Sequence, residues 1–582
     1  MLKSFIRSGI ILFIIVFQLA DFSYAQPLAG TDDLGRIVPQ NDVVGNPKSD
    51  RQVAMFYFLW HDVAPGKSWD LHEIVSKHPE VLNDFDNPNW GDFGKGKDVG
   101  MYYWGQPIYG YYKADDYWVH LRSIQLLTDA GVDLLVIDAT NRLTYPKQAD
   151  VLMKAMDAVR AQGKNPPKIV FYTNTSSGET MQEAYDNFYK NGAPYSHPEC
   201  WFYLDGKPLI LGLSAEAAGK DYLSFFTFRE SQWPTEGQKT SGWPWIEFTR
   251  PQKVYLNAKG EREIVNVSVS QHPNPTAGMG GSAFYGNKDN WGRSYHNGSP
   301  GNPEKDLPYG YNVQEQWDFA LKQNTPFIYV TGWNEWIAGK FPSHDDNPEH
   351  SWFCDQASPE YSRDIEPSLT ANLKDHYYMQ LVSNIRKYKG IDANPKLEAD
   401  KTITDFNDWK NIKPDYKDYV GDTQARNHPG AQSDPVTIYT NNTGRNDFEI
   451  LKIAKDKNSI YFYAKTVANI TPNSGNNWMR LYIDTDKKAT TGWKGYDYRI
   501  TGGKTLQKYS GSSWKNVKNV SFKVAGNEMM ITVPRKEIPD FTNTLNFEFK
   551  WSDNMQNDSD PLDWYVNGDA APGGRFNFMV TE

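Results

Sequence analysis

An apolar run that ends in an amide, a carboxylate and two indoles, Pro326-Phe-Ile-Tyr-Val-Thr-Gly-Trp-Asn-Glu-Trp336, is the sharpest chemical signal in this sequence. Burial explains the run but not Glu335, because ionised carboxylates enter a core only when paired. At the end of a buried strand, flanked by Trp333 and Trp336 and preceded by Asn334, Glu335 has the setting of an acid–base or nucleophilic group, and the indoles could shield it and stack on a flat apolar ligand face. The structural alternative is a helix cap or an ion pair with an arginine.

Cleavage of a glycosidic bond uses two carboxyl groups, one protonating the leaving oxygen and one acting as base or nucleophile. Three partners for Glu335 stand at the ends of other apolar runs: Asp138 in Val136-Ile-Asp-Ala-Thr-Asn141, Glu230 in Phe228-Arg-Glu-Ser-Gln-Trp233, and Asp355. Each also reads as a cap or as a partner of Arg229 or Arg363. A binding cleft around them would draw on Trp60, His61 and Asp62, Tyr112, Asn141, Trp243 and Trp245, and His272, which supply donors, acceptors and aromatic platforms.

The elements that must position these residues follow from periodicity. Between residues 50 and 393, short runs rich in β-branched and aromatic residues alternate with amphipathic stretches, the sequence form of repeated βα units. Eight runs are present: 53–60, 133–138, 168–174, 208–213, 225–229, 264–271, 326–332 and 351–355. They predict a (β/α)₈ TIM barrel with both carboxyl-bearing runs ending at its C-terminal face. Asp115 or Asp116 caps a predicted helix over Tyr117–Ala130 that stops at Gly131. Residues 394–402 form a polar linker, and from 403 to 582 strand-like segments recur without amphipathic helices, predicting an all-β sandwich. Residues 26–49 form an N-terminal linker.

Residues 1–25 read as a cleavable signal peptide, with Lys3 and Arg7 before the apolar run 9–17 and Ser23-Tyr-Ala25 ahead of the cleavage point. The expected location is therefore secreted or periplasmic, with no membrane span. A net charge of −10 and pI near 5.7 argue against a nucleic-acid partner. Twenty Trp and 35 Tyr exceed what packing requires and suit sugar faces. Cys200 and Cys354 are expected to stay unpaired, and no Cys/His spacing suggests zinc.

Gly332-Trp-Asn-Glu-Trp336 resembles the Asn-Glu-Trp signature of the family 99 endo-mannosidases and of the related WbsX-like barrel proteins. Tyr109-Gly-Tyr-Tyr112, Asp138 with Thr140-Asn141, and Ser362-Arg-Asp-Ile-Glu-Pro367 before a Tyr-rich helix support it in order over residues 50–390. The resemblance implies a (β/α)₈ fold and retaining cleavage, with one Glu activating a sugar 2-hydroxyl and a second, three residues on, serving as acid. The first falls on Glu335. The second falls on Ala338, which transfers no proton, so the acid would come from Asp138 or Glu230, or hydrolysis has been lost. Residues 447–454, 461–463, 481–486 and 492–498 are similar to family 9 carbohydrate-binding modules. That resemblance implies a sugar clamp, for which Trp493, Trp514, Trp551 and Trp564 are candidates, and structural calcium, for which Asp484, Asp486 and Asp497 offer oxygen ligands.

The reading is a secreted glycoside hydrolase on a polysaccharide or complex glycan, with no cofactor required for catalysis. The alternative is a non-catalytic glycan-binding protein on a degenerate glycosidase barrel.

Overall fold

The structure, a computed structural model, describes residues 27–61, 68–91, 100–273, 290–342, 347, 349–354, 358–398, 400–433, 436–542 and 544–582. The segment read as a signal peptide, and Asp62 and Asp355, lie outside these residues. We label the strands of the main sheet β1 Gln52–Tyr57, β2 Leu134–Ala139, β3 Lys168–Thr173, β4 Lys207–Gly212, β5 Thr227–Gln232, β6 Gly242–Pro244, β7 Val254–Leu256, β8 Arg262–Ser268 and β9 Phe327–Trp333. Their order is β7-β8-β9-β1-β2-β3-β4-β5-β6, every pair parallel except β7 with β8.

The two edges curl towards each other into a nearly closed barrel. Ser241 N–H donates to Leu256 O at 2.9 Å, and the Asn266 amide on β8 reaches Trp245 O at 3.0 Å just beyond β6. Strand alternation fills the interior: Ala54 and Phe56, with Phe58 beyond β1, meet Leu134, Val136, Val170, Tyr172, Leu209, Leu211 and Tyr329 in one buried cluster. Helices α1 Tyr117–Ala130, α2 Pro146–Arg160, α3 Ser177–Ala184, α4 Tyr311–Gln323 and α5 His376–Lys389 cover the outside. Asp116 caps α1 by accepting Trp118 N–H at 3.1 Å, and Gly131 ends it with φ 81°.

Two features depart from the expected (β/α)₈ count. The run expected as the eighth strand, Ser351–Phe353, pairs antiparallel with Ile337–Pro342, outside the barrel, while the short segment Gly242–Pro244 enters the ring instead. Ile337–Pro342 and Ser351–Phe353 lie close in sequence and satisfy their backbone hydrogen bonds with each other, at lower loop-closure cost than a return to the ring. The hairpin is extended by Gly100–Tyr103 and Ser68–Asp70 into a four-stranded sheet. No helix separates β5 from β6 or β6 from β8.

The C-terminal unit holds a five-stranded and a seven-stranded antiparallel sheet. Leu451, Ile453, Phe462, Leu481, Phe549 and Trp551 lie in its buried core. A separate hairpin, Arg426–Ser433 with Val436–Asn441, returns to the barrel, where Ala431 N–H donates to Tyr111 O at 2.8 Å. No disulfide joins Cys200 to Cys354. No helix among the described residues is long and apolar enough to cross a membrane.

Candidate active site

Glu335 is placed by the turn that ends β9. Asn334 takes the left-handed conformation, φ 56°, which asparagine tolerates better than most residues. Its side-chain amide clamps the chain after β1, accepting from Phe58 N–H at 2.9 Å and donating to Phe58 O at 3.0 Å. Asn334 N–H donates to Asp364 Oδ1 at 2.9 Å. The residue expected in a ligand cleft is therefore a backbone brace, and its role is to aim the next side chain.

Glu335 is 1% exposed and held by the fully buried Arg363. Nε of Arg363 donates to Oε2 at 2.9 Å and Nη2 to Oε1 at 2.5 Å, a bidentate fork. The third arm of the guanidinium, Nη1, meets Nδ1 of His272 at 3.1 Å. Since arginine only donates, Nδ1 must accept, which puts the ring proton on Nε2. Burial, and then the positive charge of Arg363, hold the His272 pKa well below its ordinary value, so the ring is neutral. The Trp245 ring lies 5.4 Å from the Arg363 guanidinium carbon.

Behind Glu335 stands an aromatic wall. His61 stacks on Trp336 at 4.3 Å, and its Nε2 donates to Asn334 O at 2.8 Å. Burial lowers the His61 pKa to about 3. Tyr103, Tyr111 and Tyr112 close around Trp336 at 5.3–5.4 Å. Tyr112 donates to Glu366 Oε2 at 2.9 Å, while Oε1 of Glu366 is buried with no partner. Asp364 accepts from the Asn334 and Glu366 amides through one oxygen. Burial pushes both acidic groups upward, and the charge of Asp364 raises Glu366 further. The segment 363–366 thus addresses Glu335, Asn334 and Tyr112 in turn. In the sequence Arg363 reads only as an ion-pair partner, and Asp364 and Glu366 only as members of the Ser362–Pro367 motif; three charges within four residues ahead of Pro367 are the available signal.

Asp138 faces the same end of the barrel interior, in alternation with Leu134 and Val136. It is 8% exposed and accepts from Thr140 N–H at 3.0 Å and Thr140 Oγ1 at 2.8 Å. β1 lies between β2 and β9, so the two strands that lead to Asp138 and Glu335 run about 10 Å apart. The Tyr329 phenol lies within electrostatic reach of both, its pKa raised by burial and then by Tyr172, Asp138 and Glu335.

The remaining predicted positions divide by location. Trp60 is partly buried beside Phe58 at 6.4 Å, and Asn141 is exposed just beyond β2. Glu230 is not brought to Glu335: it follows the outward-facing Phe228 in alternation and bonds to Ser214. Trp243 is fully buried at the opposite end of the barrel, 4.8 Å from Phe327, and donates to Glu263 at 3.0 Å. Trp333 is fully buried, its ring directed outward to Tyr378 on α5 at 6.0 Å. Ala338 is buried in strand Ile337–Pro342, opposite Tyr102.

In the C-terminal unit, Trp493 and Trp514 are partly exposed and 6.4 Å apart, with Arg499 over the Trp514 ring at 4.5 Å. Trp564 is buried beneath Trp493 at 5.8 Å, and Trp551 is fully buried in the core beside Phe448. Asp484, Asp486 and Asp497 bring ligand oxygens within 4.8 Å of one another. Several of those oxygens already accept from the loop itself, including Lys487 N–H on Asp484 and Thr485 on Asp497.

No protein-family model matches the chain, and no curated protein matches it. Among solved structures, it is similar to a GH99 endo-alpha-mannosidase from Bacteroides thetaiotaomicron in two structures. One, in complex with bis-tris propane, has TM-score 0.33 and 13% identity, covering 58% of this chain and 97% of that one. The other has TM-score 0.34 and 16% identity, covering 58% and 98%. A glycoside hydrolase-like protein matches with TM-score 0.27 and 11% identity over 59% and 95%. At TM-scores this low, none of these likenesses bears on the function of this chain.

Proposed function

We propose that this protein is an exported glycoside hydrolase whose site is built around Glu335 and Asp138. The observation that carries the reading is the presence of two buried carboxyl groups at one end of the barrel, Asp138 on β2 and Glu335 just beyond β9, with the Tyr329 phenol in electrostatic reach of both. Glu335, oriented by the Arg363 fork, presents a carboxylate suited to act as base or nucleophile at the anomeric carbon, or to stabilise the positive charge developing there. Asp138, near the rim, is the group to protonate the leaving oxygen as the C1–O bond breaks. The fixed, neutral His61 and His272 and the rings of Trp60 and Trp245 furnish the walls. Trp493 and Trp514 give the C-terminal unit a partly exposed aromatic face suited to holding the same glycan, and a calcium ion on Asp484, Asp486 and Asp497 belongs to that reading.

The test is a screen of the purified chain against plant, algal, fungal-mannan and host glycans, reading new reducing ends, with Glu335→Gln and Asp138→Asn beside it. Loss of turnover in both variants, with folding retained, is expected; unchanged turnover in Glu335→Gln would refute the assignment. One observation favours a second reading, glycan binding without cleavage: Glu335 is almost fully enclosed with both oxygens committed to Arg363, and Ala338 stands where the resemblance would put an acid. Saturable binding with no new reducing ends across the panel would select it.

A further inference from the structure

At the end of the barrel opposite Glu335, a cleft of about 980 Å³ separates the barrel from the C-terminal unit. Gln52 opening β1, Asp133 preceding β2 and Lys168 opening β3 stand in one wall, and Tyr416, Lys417, Phe578 and Met579 in the other. That volume is at the upper end of the range ligand sites occupy. The cleft is basic although the chain carries a net charge of −10: seven of its lining residues are Lys or Arg, and four are Asp or Glu. The carboxylates there are matched, and the surplus cations are not. Asp133 is held by Lys389 Nζ at 2.6 and 2.7 Å, and Asp415 by Lys413 and by Lys452 Nζ at 3.2 Å. Asp129 faces two cations, Lys164 and Arg386, with a single charge. Lys168 Nζ donates to a backbone oxygen, Glu199 O; the carboxylates of Glu199 and Asp157 act on it from further off, against Arg160. Among the described residues, no carboxylate oxygen lies within 4.0 Å of a side-chain nitrogen of Lys48, Lys168, Arg386 or Lys417.

Unmet polar atoms in the same walls point to a ligand independently. Arg386 on α5 is 2% exposed, and its Nη1 donates to Leu28 O at 2.8 Å and Pro39 O at 3.3 Å. Its Nε and Nη2 are buried with no hydrogen-bond partner. Burial lowers the Arg386 pKa to about 10, which leaves the guanidinium charged at neutral pH. Nε1 of Trp201 and Oε1 of Gln52, both in the wall, are also buried and unpartnered. A buried donor without an acceptor carries a desolvation cost that a ligand oxygen relieves. Trp201 and the 51% exposed Tyr203 add flat ring surface to the same wall.

We propose that this cleft is a second glycan site, for a sugar chain that bears carboxylate or sulfate groups. Lys48, Lys168, Lys417 and Arg386 supply charge-assisted donors to those groups, and Trp201 and Tyr203 take a sugar face. The choice of a sugar backbone rests on the glycan reading above, whereas the anionic character rests on the cleft alone. A chain bound there touches both units and is held without occupying the space around Glu335.

The experiment is calorimetric titration of the full chain with tetragalacturonate, a sulfated carrageenan tetrasaccharide, mannotetraose and inorganic sulfate. Micromolar binding of one or both acidic tetrasaccharides, weakened by added NaCl, is expected, and the tighter of the two names the anionic group. Lys48→Glu/Lys417→Glu, at exposed positions outside the core, should weaken that binding about tenfold, and Tyr203→Ala about threefold. Trp514→Ala and Glu335→Gln should leave it unchanged. No binding of either acidic tetrasaccharide would overturn the proposal, as would an affinity unmoved by Lys48→Glu/Lys417→Glu or lost in Trp514→Ala or Glu335→Gln. A mannotetraose affinity that falls with the charge reversal as far as the acidic one would overturn the anionic assignment, and inorganic sulfate bound as tightly as either tetrasaccharide would overturn the sugar. None of these outcomes depends on release of reducing ends, so a failure of the hydrolase reading and a failure of this one are told apart.

Discussion

Removing one member of the Glu335–Arg363 pair should cost far more than removing both. The two side chains are 1% and 0% exposed and joined by two hydrogen bonds of 2.9 and 2.5 Å, so neither has solvent to fall back on. Arg363→Met deletes the guanidinium and leaves Glu335 as a buried, uncompensated carboxylate, a change that costs about 3–5 kcal/mol. It also removes the donor to His272 Nδ1, so the loss extends beyond the ion pair. Glu335→Leu strands the buried Arg363 guanidinium in the same way and costs a similar amount. In Glu335→Leu/Arg363→Met the desolvation of both charges is relieved, and most of the loss should be recovered. Thermal unfolding of the four proteins reads the cycle: roughly 5–15 °C lost in Arg363→Met, and less than half of that in the double variant. Strictly additive losses would mean that the two residues do not act as a closed pair, and would remove the basis for treating Glu335 as an oriented carboxylate.

Other consequences can be measured in the same way. His61, 2% exposed and with its pKa lowered to about 3, stays neutral in the folded chain, whereas the unfolded chain protonates near 6.5; unfolding therefore takes up a proton between those values. Stability should fall on acidification through that window by up to about 1.4 kcal/mol per pH unit, and His61→Gln should flatten the slope while leaving the region above pH 7 unchanged. Glu366 acts with the opposite sign: its raised pKa means that stability is lost as pH rises through the folded value, so Glu366→Gln should gain about 1–3 kcal/mol at pH 8 and little at pH 4.5. Equal gains at both would contradict the burial of an ionisable group. Trp336→Ala should destabilise the barrel by about 3–5 kcal/mol in urea unfolding, since the indole is fully enclosed by His61 and three tyrosines. Trp514→Ala should leave stability within about 0.5 kcal/mol and weaken glycan retention on affinity gels about tenfold; unaltered retention would take the Trp493–Trp514 face out of the binding reading.

Local rules made much of the framework legible. The alternation of Ala54, Phe56 and Phe58, the Asp116 cap and Gly131 stop of α1, and the apolar run leading to Glu335 depend on a few neighbouring residues each, and periodicity reports such neighbours directly. Strand membership was less accessible: Gly242–Pro244 is too short to show a period, and Ser351–Phe353 looks like a barrel strand until its antiparallel partner is known. The site was legible as a carboxylate at a strand end, but its electrostatics were not. Whether Glu335 is free or forked by Arg363, and whether Glu230 faces in or out, depend on contacts between residues many positions apart. Sequence by itself determined which side chains could carry charge and which segments could be strands. Only the tertiary structure decided which charges met, because at a few ångströms in a dry interior the partner sets the energy, and the partner is chosen by the fold.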